Sequence, residues 1–271
     1  MTRVGLAAIG GAGLVWGAWV LLVRGRLVPR RPNHRGRSVP TGVGLSLAFA
    51  VVAAAAARMV AGGSGATPVE VTAGWSLLAL AAAGFVDDRV VGGPRGLPGH
   101  VRSLLRGRMT SGILKLVVAI AAAAWVAATA RPDPLGFGLA LVVLAAATNV
   151  WNAFDVRPGR ALKWSLCALV PMLVASWGET FSFLAAAMIG GCLVLLVPDL
   201  RERTMLGDAG SNPLGFAVGL GLVSTLDLLG LAVAAVLLLA LQVVAETVTI
   251  TRVIERVPPL RWFDRLGRLP R

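Results

Sequence analysis

The chain has 271 residues, of which 56% are hydrophobic and only 14% charged, and its mean hydropathy is +0.78. A soluble domain carries nearer a quarter charged residues, so an aqueous globular enzyme is excluded and the bilayer is the main solvent. The net charge of +13 does not mark a nucleic-acid binder, because the basic residues alternate with apolar runs instead of forming one patch.

The apolar runs predict an all-α, polytopic transmembrane bundle of about nine spans. The first, over 5–23, contains Trp16 and Trp19 and runs into Arg24, Arg26, Arg30, Arg31, Arg35 and Arg37. It reads as a membrane helix and not as a cleavable signal. The second covers 43–61. The third, 71–86, ends at Asp87 and Asp88 and precedes Arg89, Arg95, Arg102, Arg106 and Arg108. The fourth, 113–130, begins beside Lys115. The fifth, 135–152, leads into Asp155, Arg157, Arg160 and Lys163. The remaining spans are expected over 162–177, 181–197, 213–225 and 228–250, with the eighth the shortest and the third and sixth near the lower length limit. Cys167 and Cys192 fall inside apolar runs and read as packing residues, with no disulfide or metal role.

Lys and Arg set the orientation. Every second connection and the C-terminal tail are basic, leaving only Arg3, Arg58 and Arg131 for the other side. The positive-inside rule makes the basic side cytoplasmic, so the N-terminus is expected outside and the C-terminus inside. Residues 1–252 form the expected membrane domain. Residues 253–271, with Trp262, Phe263 and Leu266 among arginines, read as a basic amphipathic tail at the headgroups.

Three groups of polar residues fall on that same side. Adjacent Asp87 and Asp88 repel each other and call for a cation or proton, unless they are boundary charges in water. Asn149, Asn152 and Asp155, spaced by three, share neighbouring positions on one helix face. They offer oxygens to a metal and N–H donors to a phosphate, or they seal a helix interface. Met205 to Ser211 places Asp208 between Gly207 and Gly210 near the start of an apolar run. That setting suits an anion with its metal, or a helix N-cap. Arg157, Arg160 and Lys163 are candidate phosphate contacts.

These residues, in order, resemble the polyprenyl-phosphate N-acetylhexosamine-1-phosphate transferase superfamily. Arg37 to Gly44 is similar to the Pro-x-x-Gly-Gly segment after the first helix, with Val43 in place of one Gly. Phe85-Val86-Asp87-Asp88 is similar to the Asp-Asp motif, and Thr110–Leu116 to the segment ending in Lys-Leu. Asn149, Asn152 and Asp155 match Asn-x-x-Asn-x-x-Asp, and Leu206 to Ser211 resembles Met-Gly-Asp-x-Gly-Ser. Ala245-Glu246-Thr247 is similar to the Asp/Glu-Thr of the ninth helix. Departures are the absent His-rich motif and tenth helix, and Arg157-Pro158 where the family has a second Asp.

The resemblance implies transfer of a sugar-1-phosphate, expected to be an N-acetylhexosamine-1-phosphate, from a UDP-sugar to a polyprenyl phosphate. UMP is released, in cell-envelope glycan synthesis at the plasma membrane. It implies Mg²⁺ as cofactor. Asp208, Asp87 and Asp88 become the expected catalytic residues, and these three with Asp155 the expected metal ligands. Asn149, Asn152, Asp155, Lys115, Arg157, Arg160 and Lys163 become the expected substrate contacts. The implied partners are the lipid phosphate, the UDP-sugar and the bilayer, with a homodimer left open. A second reading is a catalytically degenerate relative that binds lipid phosphate or nucleotide as a structural or regulatory partner. A transporter would place its charges near the midplane, whereas these cluster at one end.

Overall fold

The computed structural model describes residues 2–62, 65–90, 99, 102–103, 105–107 and 110–270; of the residues singled out above, Arg95 and Arg108 lie outside them. Helix α1 (Arg3–Arg24) leads into a hairpin in which β1 (Arg30–Pro32) pairs antiparallel with β2 (Ser38–Pro40). A 3₁₀ turn, Val43–Leu47, opens α2 (Ala48–Val60). Then follow α3 (Pro68–Arg89), α4 (Ser111–Ala130), α5 (Pro134–Phe154), α6 (Arg160–Ala175), α7 (Thr180–Leu200), α8 (Asp208–Thr225) and α9 (Leu228–Thr247). Short helices α10 (Ile250–Arg256) and α11 (Pro258–Arg265) form the tail.

Seven helical segments among the described residues are long and apolar enough to cross a membrane: α1, Val43–Val60, α3, α4, α5, α7 and α9. The chain is therefore a multi-pass membrane protein. The other two expected spans correspond to α6 and α8, which fall short for different reasons. Helix α6 has 16 residues, and Pro171 interrupts its hydrogen-bond ladder. Helix α8 has 18 residues but carries Asp208, Asn212 and Pro213. It tolerates them because nearly all of it is buried against protein, including Asn212, Phe216 and Leu220, so its polar atoms do not face lipid. Helix α3 is longer than its apolar run, at 22 residues, because Thr67 and Glu70 close a capping box with Pro68 at its start. The ninth run ends early: Thr249 adopts φ 70°, which breaks the helix before Ile250.

Helix α8 is the central post, packed by α3, α5 and α6, while α1 packs on α7 and α2. Small residues permit this closeness. A methyl group added at Gly11 would meet the Ala187 backbone, and one at Gly190 the Ala8 carbonyl. In a bilayer such close backbone contact, and not exclusion of water, drives helix association. Large side chains point outward instead, as on α9, where Leu229, Val236, Leu237 and Val243 are exposed.

The three basic residues outside the basic connections gather at the opposite end of the bundle. Arg3 donates to the Ala61 carbonyl and Arg58 pairs with Glu70. Arg131 donates to the terminal carbonyls of α8, Val223 at 2.8 Å and Leu226 at 2.7 Å. The C-terminal end of α3, the N-terminal ends of α4 and α8, and the hairpin arginines share the other end.

Candidate functional site

The hairpin builds the floor of that end. Its second strand continues to Thr41, which bridges in parallel to Met205. Met205 donates its N–H to the Pro40 carbonyl at 2.8 Å, and Gly44 donates to the Leu206 carbonyl at 2.9 Å. Two segments, 164 residues apart at Thr41 and Met205, thereby fix the backbone just ahead of α8. Arg31 ties the hairpin to the end of α3, donating twice to the Asp88 carbonyl at 2.9 and 3.1 Å.

Asp87 and Asp88 have separate environments. Asp88 accepts hydrogen bonds from the backbone N–H groups of Asp208, at 3.1 Å, and Ala209, at 3.0 Å. It caps α8 from another helix and places a negative charge at its dipole. Glycine makes room for this. Gly207 adopts φ 72°, and a methyl group there would stand 2.6 Å from Asp88 Oδ2. A methyl group at Gly84 would run into the Asp208 carbonyl, so α3 and α8 touch backbone to backbone. Asp87 turns the other way, to Lys115 Nζ at 3.4 Å.

Lys115, on the first turns of α4, joins the set. Its ammonium pairs with Asp208 as well as Asp87. Asn152, from the last turn of α5, donates to Asp208 Oδ1 at 2.7 Å and accepts from Lys115 Nζ at 3.1 Å with its amide oriented to satisfy both. Asp208 is the first residue of α8, not part of a loop before it, but its carboxylate leaves its own helix end to Asp88. The N-cap role considered for Asp208 thus belongs to Asp88, 120 positions earlier.

Asp155 follows as the C-cap residue of α5. Burial pushes its carboxyl well above the usual carboxylate range, and the charges of Asp199, Asp208 and Asp88 add to the push. Asp87, Asp88, Asp155, Asp199 and Asp208 thus gather at this end of the bundle, and the Lys115 ammonium meets two of them, Asp87 and Asp208. A cation or an additional proton relieves that crowding. Among the described residues no three carboxylate, imidazole or thiolate side chains form a ready ion cage. The available donors are hard oxygens, which suit Mg²⁺, an ion that completes its shell with water and substrate phosphate.

The other expected contacts are distributed differently. Asn149 lies exposed on α5, one turn before Asn152. Arg157 lines a cavity of about 70 Å³ together with Asp155, Asp199 and His34. Arg160 and Lys163 are not brought to the carboxylates. Arg160 is buried and holds Asp264 with two hydrogen bonds, at 2.7 and 3.1 Å. Lys163 donates to the carbonyls of Phe263, Asp264 and Leu266. Both therefore fasten the tail, which is docked on α6 with Asp264 buried beneath it. Burial alone would raise the Asp264 carboxyl, but Arg160 and Arg268 hold it below the usual carboxylate range.

Asp199 is a further residue that sequence reasoning passed over. It is buried at the end of α7 and accepts from the N–H groups of Gly159 and Leu206, joining the segment after α5 to the segment before α8. The one signal available was a carboxylate closing an apolar run behind Pro198. Glu246 accepts from Gln242 on exposed α9, apart from the cluster.

The chain is similar to the phospho-N-acetylmuramoyl-pentapeptide-transferase of Moorella thermoacetica, at 33% identity over 212 aligned positions that cover 69% of this chain and 64% of that protein. The chain thus spans a little under two thirds of that relative's length. No family model matches.

Proposed function

We propose that this chain is a membrane phosphoglycosyl transferase of the polyprenyl-phosphate type. It transfers a sugar-1-phosphate, of the N-acetylhexosamine class, from a UDP-sugar to a polyprenyl phosphate in cell-envelope glycan synthesis. The observation that carries this reading is the convergence of Asp87, Lys115, Asn152 and Asp208, from four helices, at one end of the bundle. The similarity to a transferase of that kind supports it.

In this reading α6 and α8 count as spans beside the seven apolar segments. The N-terminus is outside, and the site and C-terminus are cytoplasmic at the plasma membrane. Residues 1–252 form the transferase domain and 253–271 its tail. The lipid reaches the site from the bilayer and the nucleotide sugar from the cytoplasm.

The chemistry is an in-line displacement. A phosphate oxygen of the lipid forms a bond to the sugar-linked phosphorus of the donor, the bond to UMP breaks, and UMP leaves. Asp208, Asp87 and Asp155, with the Asn152 amide oxygen, would hold Mg²⁺. When bound, that ion supplies charge neutralisation for the diphosphate and its leaving group. Lys115 orients Asp87 and Asp208 and presents a second positive charge to the phosphates. Asp87 is the better placed of the pair to take the lipid phosphate's proton, because both oxygens of Asp88 already accept from α8. Asp88 acts through Asp208, by setting the α8 terminus. Asn149 and Arg157 are left to position the donor.

The test is incubation of purified protein with polyprenyl phosphate, Mg²⁺ and a panel of UDP-sugars, with UMP release measured. UMP release that requires both lipid and Mg²⁺ is expected. Binding of lipid phosphate or UDP-sugar without turnover would replace this reading with the degenerate binding relative.

A further inference from the structure

Helix α7 ends in a turn that ordinarily belongs to glycine. After the C-cap Arg201, the Glu202 N–H donates to the Asp199 carbonyl and the Arg203 N–H to the Pro198 carbonyl, both at 2.9 Å, and Glu202 adopts φ 53°. This pairing closes a helix through one left-handed residue, a conformation that strains any residue with a Cβ and leaves glycine free. Helix α1 closes in the same way at Arg26, φ 54°, whose side chain is exposed. The turn itself therefore asks for no carboxylate.

Glu202 differs because its side chain is only 3% exposed. Both of its oxygens are taken by the tip of the hairpin. Asn33 Nδ2 donates to Oε2 at 3.0 Å, and Arg35 Nε pairs with Oε1 at 2.9 Å. The oxygen of the Asn33 amide accepts from the N–H groups of Arg35, at 2.9 Å, and Arg37, at 3.0 Å. One asparagine thus shapes the tip and presents it to Glu202. Burying a carboxylate is costly unless it is paired and hydrogen-bonded, and this one is both. A strained residue persists where its surroundings over-determine it, and here the strain accompanies a side-chain clasp that glycine could not make.

The chain from Glu202 to Asp208 has a second attachment to the same hairpin. The Met205 N–H donates to the Pro40 carbonyl at 2.8 Å, and the Leu206 carbonyl accepts from Gly44 at 2.9 Å. One attachment fixes a position and leaves a pivot, whereas two fix a direction. We infer that Glu202 is a positioning residue. By clasping the hairpin tip it sets the line along which the link from α7 enters α8, and so the placement of Asp208. It touches no reacting atom. Its effect on turnover rests on the transferase reading, whereas its effect on the link does not.

The deciding variant is Glu202→Gly, which removes the strain and the clasp together. A residue that merely closes α7 is replaced by glycine without loss. The first readout is hydrogen exchange by mass spectrometry of the full-length protein in detergent, in peptides covering 203–210. Exchange there should quicken about tenfold or more, because each lost hydrogen bond to a charged group is worth roughly that factor in local opening. Helices α5 and α7 should stay protected as in the wild type. Arg35→Gln, which opens the clasp from the hairpin side, should give the same pattern. The second readout is UMP release with the UDP-sugar that the panel identifies. In Glu202→Gly, kcat should fall roughly tenfold to a hundredfold at an unchanged KM for that donor, since misplacing a catalytic group by about 1 Å can cost on the order of 10²-fold. Exchange in 203–210 as slow as in the wild type for both variants overturns the clasp. Loss of protection throughout the helices in both variants overturns it as well, by making Glu202 a support of the whole fold. Faster local exchange with an unchanged kcat overturns the positioning role. A wild type that releases no UMP removes the proposed activity instead, and the exchange comparison then decides the clasp by itself.

Discussion

Replacing Asp88 by Asn should destabilise the protein more than the same change at Asp87, although the two residues are adjacent and chemically identical. Asp88 accepts from two N–H groups at the start of α8, at 3.1 and 3.0 Å. Asn keeps one acceptor oxygen and turns an NH₂ toward the other donor. One charge-assisted hydrogen bond is lost, worth about 1.5–3 kcal/mol. The favourable charge at the helix terminus is lost as well, worth about 0.3–1 kcal/mol. The combined loss is about 2–4 kcal/mol. Asp87 caps no helix: it meets the Lys115 ammonium at 3.4 Å, beside Asp208 and Ser111, in a partly exposed pair in which Lys115 keeps Asp208 as its other partner. Loss of such a pair costs about 0–1 kcal/mol. The assay is the midpoint of thermal aggregation of detergent-solubilised protein, read by size exclusion after heating. Asp88→Asn should lower the midpoint clearly and Asp87→Asn barely. Equal midpoints for the two variants would refute the assignment of Asp88 as the cap of α8.

The remaining predictions concern charge. Asp208→Asn should leave the thermal midpoint near the wild-type value but reduce UMP release about 10²–10³-fold, because the amide loses the charge that serves the phosphates; near-normal turnover at saturating Mg²⁺ would remove Asp208 from the site. Lys115→Met leaves Asp87 and Asp208 without their ammonium, so added Mg²⁺ should raise the variant's thermal midpoint more than the wild type's. That stabilisation should approach about 2.7 kcal/mol at 100 times the dissociation constant, and an equal response in both proteins would contradict the site's affinity for cations. Asp264→Asn breaks the buried pair with Arg160, a loss of about 3–5 kcal/mol, and should speed tryptic cleavage within 258–268 by at least about tenfold. Asp264 is held below its unfolded value of about 3.9, so its contribution is fully present above that pH and disappears as pH falls through the lower folded value. Hydrogen exchange in 258–265 should accordingly rise on acidification below about pH 4 in the wild type and respond less in Asp264→Asn.

Much of the architecture was legible because membrane insertion is governed by local quantities. A run of apolar residues about 20 long is sufficient to propose a helix, whatever surrounds it, so the positions of α1, α3, α4, α5, α7 and α9 follow from the chain read in order. The polar motifs stood out for the same reason, since Asp87, Asn152 and Asp208 interrupt a sequence that has only 13 acidic residues. Their common level was also readable, because helices that alternate in direction return every odd-numbered connection to the same face. What local reading could not supply was the partner of each group. Adjacent Asp87 and Asp88 were indistinguishable until the approach of α8, 120 positions away, gave Asp88 two N–H donors and left Asp87 to Lys115. Arg160 and Lys163 looked like phosphate contacts until the tail returned, 100 residues later, and placed Asp264 and three carbonyls against them. Helix α8 reads as the shortest span because polarity along the chain tracks lipid exposure, and α8 is surrounded by protein. Insertion depends on each segment's own composition, whereas the pairing of charges depends on which distant helices the close packing of small residues brings into contact.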